Sequence, residues 1–84
     1  MSDADTVERV KKVVVEVLKV DETEIGMESH FVRDLGAESM QSIELVAGFE
    51  EEFDIEMDPD EALGVQTVGD AVEFIANVVK EQHG

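Results

Sequence analysis

The chain has 84 residues, 43% of them hydrophobic, with 22 acidic against 6 basic side chains and a formal net charge of −16. That charge excludes nucleic acid and anionic membrane surfaces as partners and points to proteins with basic patches. The length gives one small domain, 1–84, whose core is too thin for a large catalytic cleft, and the absence of cysteine rules out disulfides, thiolate nucleophiles and Cys-based metal sites.

No basic-then-apolar leader is visible, and apolar runs such as Val13 to Val15 are far too short to span a bilayer. A cytoplasmic monomer without membrane insertion is the expectation. The charge is uneven. Arg9, Lys11, Lys12 and Lys19 lie early, whereas from Asp34 onward Lys80 is the only base against 14 acids.

The first predicted helix runs from Thr6 to Lys19, with Val7, Val10, Val14, Val17 and Leu18 on one face and Asp3, Asp5 and Thr6 as cap candidates. A long connection, 20–38, follows. It contains Gly26 and Gly36 and is expected to tuck Ile25, Met27, Phe31, Val32 and Leu35 inward. The second helix is predicted from Ser39 to Phe53. Ile43, Val46, Phe49 and Phe53 form its buried face, broadened by Met40, Leu45 and Ala47, and Glu44, Glu50, Glu51, Glu52 and Asp54 point outward or follow the helix. Asp58-Pro59-Asp60-Glu61 reads as a cap with proline at the first helical position, opening a short helix that stops at Gly64. Thr67-Val68-Gly69-Asp70 caps a fourth helix that buries Val68, Ala71, Val72, Ile75, Ala76 and Val79. The fold class is therefore all-α: a small four-helix bundle with three longer helices, one short helix and a long loop between the first two.

Ser39 carries the most pointed chemistry. It opens a helix, beside unpaired backbone N–H groups and in a field that favours an anion such as a phosphate ester. The residues around it are Phe31-Val32-x-Asp34-Leu35-Gly36-Ala37-x-Ser39, continuing into Ser42-x-Glu44-Leu45-Val46 and Phe49-Glu50-Glu51-Glu52-Phe53. With these, the chain from about Thr6 to Val79 resembles an acyl carrier protein. The resemblance implies that Ser39 bears 4′-phosphopantetheine, whose terminal thiol holds acyl chains as thioesters in fatty acid, specialised lipid or polyketide synthesis. It further implies a pantetheinyl transferase and acyl-transferring or synthase enzymes as partners, docking on Glu38, Met40, Glu44 and Glu51. The acyl pocket is expected to be lined by Ile43, Val46, Ala47, Gly48, Phe49 and Ile75.

The sequence departs from the family at several points. Glu38-Ser39-Met40 replaces the usual Asp-Ser-Leu, Gln41 stands where a further acid is common, and Arg33 precedes the motif. These soften the charge at the helix start and suggest a specialised carrier with a dedicated partner. Ala47-Gly48 sits inside the second helix, at a cost of about 1 kcal/mol for the glycine relative to alanine. It reads either as a tolerated change or as extra room for an acyl chain.

Other chemistries have less behind them. A carrier need not be a catalyst, and no base stands near Ser39 in sequence. The two histidines, His30 and His83, fall in the loop and in a tail expected to be mobile, so a serine-hydrolase triad lacks its geometry. Asp54-x-Glu56-x-Asp58-x-Asp60 alternates acids as a calcium loop does, but Pro59 and Val65 occupy the places that need glycine and glutamate, so no specific metal site is expected. The acids after Glu50 read either as a solvated face or as a docking surface. An unmodified acidic adaptor binding basic proteins is the alternative function, and a carrier of amino acids is a third.

Overall fold

The computed structural model describes residues 3–84. Four helices follow one another: α1 (Asp3–Leu18), α2 (Ser39–Phe53), α3 (Pro59–Leu63) and α4 (Val68–His83). A single 3-10 turn, Glu22–Glu24, interrupts the long first loop. Among the described residues there is no strand, only an isolated antiparallel bridge between His30 and Thr67. The helical bundle expected from the sequence is the one observed.

Helix α1 begins at Asp3, earlier than expected. Among the predicted caps, Asp5 and Thr6 lie inside the helix, and the Asp3 side chain falls outside the described residues. It ends because Lys19 enters the left-handed region, φ 58°. Val10, Val13, Val14 and Leu18, spaced three, one and four apart, form its buried stripe. Helix α2 contributes Leu45, Phe49 and Phe53, and α4 contributes Val68, Ala71, Val72 and Ile75. Helices α1, α2 and α4 meet around these side chains. The shortest dimension, 18 Å, is less than two helix diameters of about 10–12 Å, so every core residue lies close to a wall.

The predicted buried face of α2 needs correction. Met40 and Ile43 are 74% and 63% exposed, whereas Leu45 is buried. Residues 45, 49 and 53 repeat every four positions along one side of the helix, and Met40 and Ile43 lie off that side. Two of the acids expected to point outward, Glu50 and Glu52, are engaged instead. The Arg9 Nε–H donates to Glu52 Oε2 at 2.9 Å, a second Arg9 N–H reaches the Glu52 carbonyl, and Lys12 Nζ lies 3.5 Å from Glu52 Oε1. The guanidinium also sits 4.3 Å from the Phe53 ring centroid, a cation–π contact. Glu50 Oε2 accepts from the Met57 N–H at 3.0 Å. Part of the early basic cluster thus fastens α1 to α2.

The long loop is sewn to the start of α4 by backbone hydrogen bonds. Phe31 N–H donates to Gln66 O at 3.0 Å, Val68 N–H to Ser29 O at 3.0 Å and Gly69 N–H to Met27 O at 2.8 Å. A Cβ on residue 69 would stand 2.9 Å from Met27 O, so glycine permits this approach. Ile25 and Phe31 are buried as expected and Leu35 partly so, but Met27 and Val32 are 43% and 56% exposed. The backbone bonds hold the loop without those two side chains, and Ala37 is buried instead. The predicted caps of α3 and α4 form: Asp58 Oδ1 accepts from the Asp60 N–H at 2.9 Å, and Thr67 Oγ1 from the Asp70 N–H at 3.1 Å. His83 is not in a loose tail. It belongs to α4 and its Nε2 contacts Asp54 O, while Gln82 brackets Glu56 through both its N–H and its carbonyl.

Candidate functional site

The segment leading to Ser39 is a compact turn. The His30 N–H donates to Asp34 Oδ2 at 2.7 Å, and the Asp34 and Leu35 N–H groups donate back to His30 O at 2.9 and 3.1 Å. Gly36 lies in the left-handed region, φ 72°, where a β-carbon is disfavoured. The Ala37 N–H then donates to Phe31 O at 2.8 Å. Asp34 and Gly36 therefore build the turn that aims the chain into α2.

Ser39 is the first residue of α2 and is exposed. Among the described residues its hydroxyl makes no hydrogen bond, so the oxygen is free to react. Glu38 is the N-cap, and Gln41 Oε1 accepts from the Glu38 N–H at 2.9 Å, closing the helix start from the third position. Gln41 can make this bond as well as glutamate would, which explains its place without appeal to charge. The Ser42 hydroxyl donates to Glu38 O at 3.3 Å and is committed to the helix. First-turn N–H groups lack intrahelical acceptors, and a 15-residue helix presents the positive end of its dipole here. The setting suits a phosphodiester on Ser39: open oxygen, rigid element, favourable field.

A cavity of about 220 Å³ opens beside α2, between α3, the start of α4 and the long loop. Of the predicted lining residues, Val46 and Phe49 are in its wall, and Ile43, Ala47, Gly48 and Ile75 are not. Ile43 faces solvent, and Ile75 is wholly buried in the core. Gly48 lies two residues from Val46, about 200° around the helix at 3.6 residues per turn, and so faces α1 instead. A Cβ there would stand 2.8 Å from Val13 Cγ1. The glycine makes room for a helix, not for a ligand. Sequence reasoning missed Leu45, Leu63, Phe74 and His30 in the wall. Leu45 could have been found from its four-residue spacing to Phe49, whereas Leu63, Phe74 and His30 come from separate elements with no common pattern.

The predicted docking residues Glu38, Met40, Glu44 and Glu51 are all exposed. Met40, Glu44 and Glu51 recur at four and seven positions, which gives one stripe along α2. Glu52, on the α1 side, is committed to Arg9. The hydrogen bond from Arg9 holds its carboxyl below the usual value of 4.5, against the opposing effect of burial.

The family described as "Phosphopantetheine attachment site" matches residues 8–75, which spans the site and most of the bundle. The chain belongs to the acyl carrier protein family. It is 51% identical over 72 residues to an acyl carrier protein of Phenylobacterium zucineum (strain HLK1), covering 86% of this chain and 91% of that relative. Against an acyl carrier protein of Caulobacter vibrioides (strain NA1000 / CB15N) it is likewise 51% identical over 72 residues, covering 86% and 92%. Membership implies 4′-phosphopantetheine as the prosthetic group. It also disfavours the unmodified adaptor, because the matched family is defined by the attachment. Among the described residues, no helix of this carrier-family chain is long and apolar enough to cross a membrane, and no cluster of ligands suited to a metal is present.

Proposed function

We propose that this single domain, 1–84, carries acyl intermediates as thioesters on 4′-phosphopantetheine joined to Ser39. The observation that carries this reading is the exposed, unengaged Ser39 hydroxyl at the first position of α2, inside the family's attachment domain. When bound, the arm supplies a thiol on which acyl groups ride. The chain's own work is positional. Gly36 and Asp34 set the turn, Glu38 and Gln41 close the helix start, and α2 holds the serine rigidly where an enzyme can reach it. The base and metal that activate the hydroxyl belong to the transferase, since among the described residues no side chain holds the Ser39 proton.

The cavity fits the cargo. It is larger than the roughly 150 Å³ apolar cavity known to accept a benzene ring, and each methylene buried is worth about 0.8 kcal/mol. The exposed stripe of Met40, Glu44 and Glu51, with Glu38 at its head, suits enzymes with basic patches, where rim charges act mainly on association rate. Such a protein is a carrier and not a catalyst, acts as a monomer and works in the cytoplasm in fatty acid, specialised lipid or polyketide synthesis. Incubation of the apo protein with coenzyme A and a pantetheinyl transferase tests the reading by intact mass. One phosphopantetheine is expected per chain; an unchanged mass with both broad and dedicated transferases overturns it.

A further inference from the structure

The acyl cavity is not lined by hydrocarbon alone. Ser42, Gln66 and His30 share its wall with Leu45, Val46 and Phe49. Ser42 has committed its proton to Glu38 O. His30 is built differently. Its Nδ1 accepts the backbone N–H groups of Val32 and Arg33, both at 3.2 Å. A ring nitrogen that accepts N–H groups cannot be the donor nitrogen, so the ring's donor is Nε2. The residue is also fixed through its backbone, by Asp34 Oδ2 on its N–H, by two N–H groups on its carbonyl and by the bridge to Thr67. Among the described residues Nε2 has no hydrogen-bond partner.

A donor of fixed tautomer in the same wall as Leu45, Val46 and Phe49 is poorly matched to a plain alkyl chain. Such a chain would strip water from Nε2–H and return no acceptor, which costs free energy. We propose that His30 is a specificity residue of the cavity, donating Nε2–H to an oxygen on the bound chain, so that the carrier favours hydroxy- or oxo-acyl cargo over an unsubstituted chain of equal length. The inference rests on the reading of Ser39 as the attachment point.

The test loads the apo protein, through a pantetheinyl transferase and amide-linked coenzyme A analogues, with octanoyl and with hydroxyoctanoyl groups whose hydroxyl is walked from carbon 3 to carbon 7. All chains should raise the thermal midpoint over the unloaded holo protein. At least one hydroxyl position should add a further gain of about 4–8 °C, the shift that one hydrogen bond gives in a domain of this size. The variant His30→Asn keeps an acceptor oxygen for the Val32 and Arg33 N–H groups but has nothing that reaches the Nε2 position. In it the further gain should vanish while the octanoyl gain remains. The imidazole 15N shifts of the wild-type protein give a second readout that needs no variant: Nε2 should move in the hydrogen-bonded direction on loading the favoured isomer and in the opposite direction on loading octanoyl. Equal midpoints for every chain, an extra gain that survives His30→Asn, or an unmoved Nε2 signal overturns the role of His30. Loading without stabilisation by any chain overturns the cavity as the seat of the acyl chain and the role of His30 with it, whereas failure of Ser39 to accept any analogue overturns the carrier reading itself.

Discussion

Gly48→Ala sets helix propensity against packing. In a helix interior alanine is better than glycine by about 1 kcal/mol. Against that gain, the new Cβ would lie 2.8 Å from Val13 Cγ1 and 3.8 Å from Val17 Cγ2. Carbon atoms pack best at about 3.5–4.0 Å, so Val13 must retreat by close to 1 Å. It has little freedom to do so. It is 4% exposed, and a β-branched side chain in a helix holds essentially one χ1 rotamer, so α1 itself has to move. Forcing a methyl group into such an interface costs about 1–3 kcal/mol. The balance is a net loss of about 1 kcal/mol, or a fall of about 4–8 °C in the thermal midpoint. Urea denaturation of Gly48→Ala measures it. In a Val13→Ala background the obstacle is gone, and the same change should become stabilising by about its propensity term. A gain of about 1 kcal/mol in the wild-type background would refute the reasoning, because it would mean that α1 and α2 leave room at this point. Since position 48 faces α1, Gly48→Leu should destabilise the fold without altering which acyl chains the cavity prefers.

Other outcomes follow from the same structure. Glu52 has a folded value below its unfolded one, so the stability it contributes is present above the ordinary carboxylate value of 4.5 and is lost as pH falls through the lower folded value. Glu52→Gln should cost about 1 kcal/mol at neutral pH, and the gap to wild type should close on acidification; a gap that is constant with pH would contradict the ion pair. Gly36→Ala should cost about 1–2 kcal/mol through backbone conformation alone, since φ is 72° and, among the described residues, nothing beyond the adjoining residues lies within 4 Å of the new Cβ; unchanged urea stability would contradict the turn geometry. Val46→Phe should narrow the cavity and reduce the thermal gain from long acyl chains more than from short ones; equal gains would place the chain elsewhere. Moderate salt should raise the melting temperature by screening a net charge of −16, and a melting temperature independent of salt would contradict self-repulsion.

The bundle was legible because its signals are local. Asp58-Pro59 and Thr67 carry their own caps, and each observed hydrogen bond is the one the residue types imply. The start of α2 at Ser39 was legible in the same way, but the turn that Gly36 and Asp34 build before it shows only in the structure, through a positive φ and a side-chain bond that no periodicity announces. The face of α2 was harder. Ile43 and Leu45 are equally apolar, and only the placement of α1 and α3 decides which is buried. The cavity was least legible, since its wall is assembled from α2, α3, α4 and the loop. Apolar residues such as Ile75 fill the core, while His30 and Leu63, from unrelated segments, complete the wall. Gly48 misled because a small residue signals close approach without saying of what.

The account turns on which hydroxyl receives the arm. The chain has four serines, Ser2, Ser29, Ser39 and Ser42, and the last two stand three positions apart at the start of α2. Fragmentation of the modified protein by tandem mass spectrometry locates the phosphodiester directly. It should be found on Ser39 alone, with full modification in Ser42→Ala and none in Ser39→Ala. A phosphopantetheine located on Ser42 or Ser29, or retained in Ser39→Ala, would contradict the account at its root.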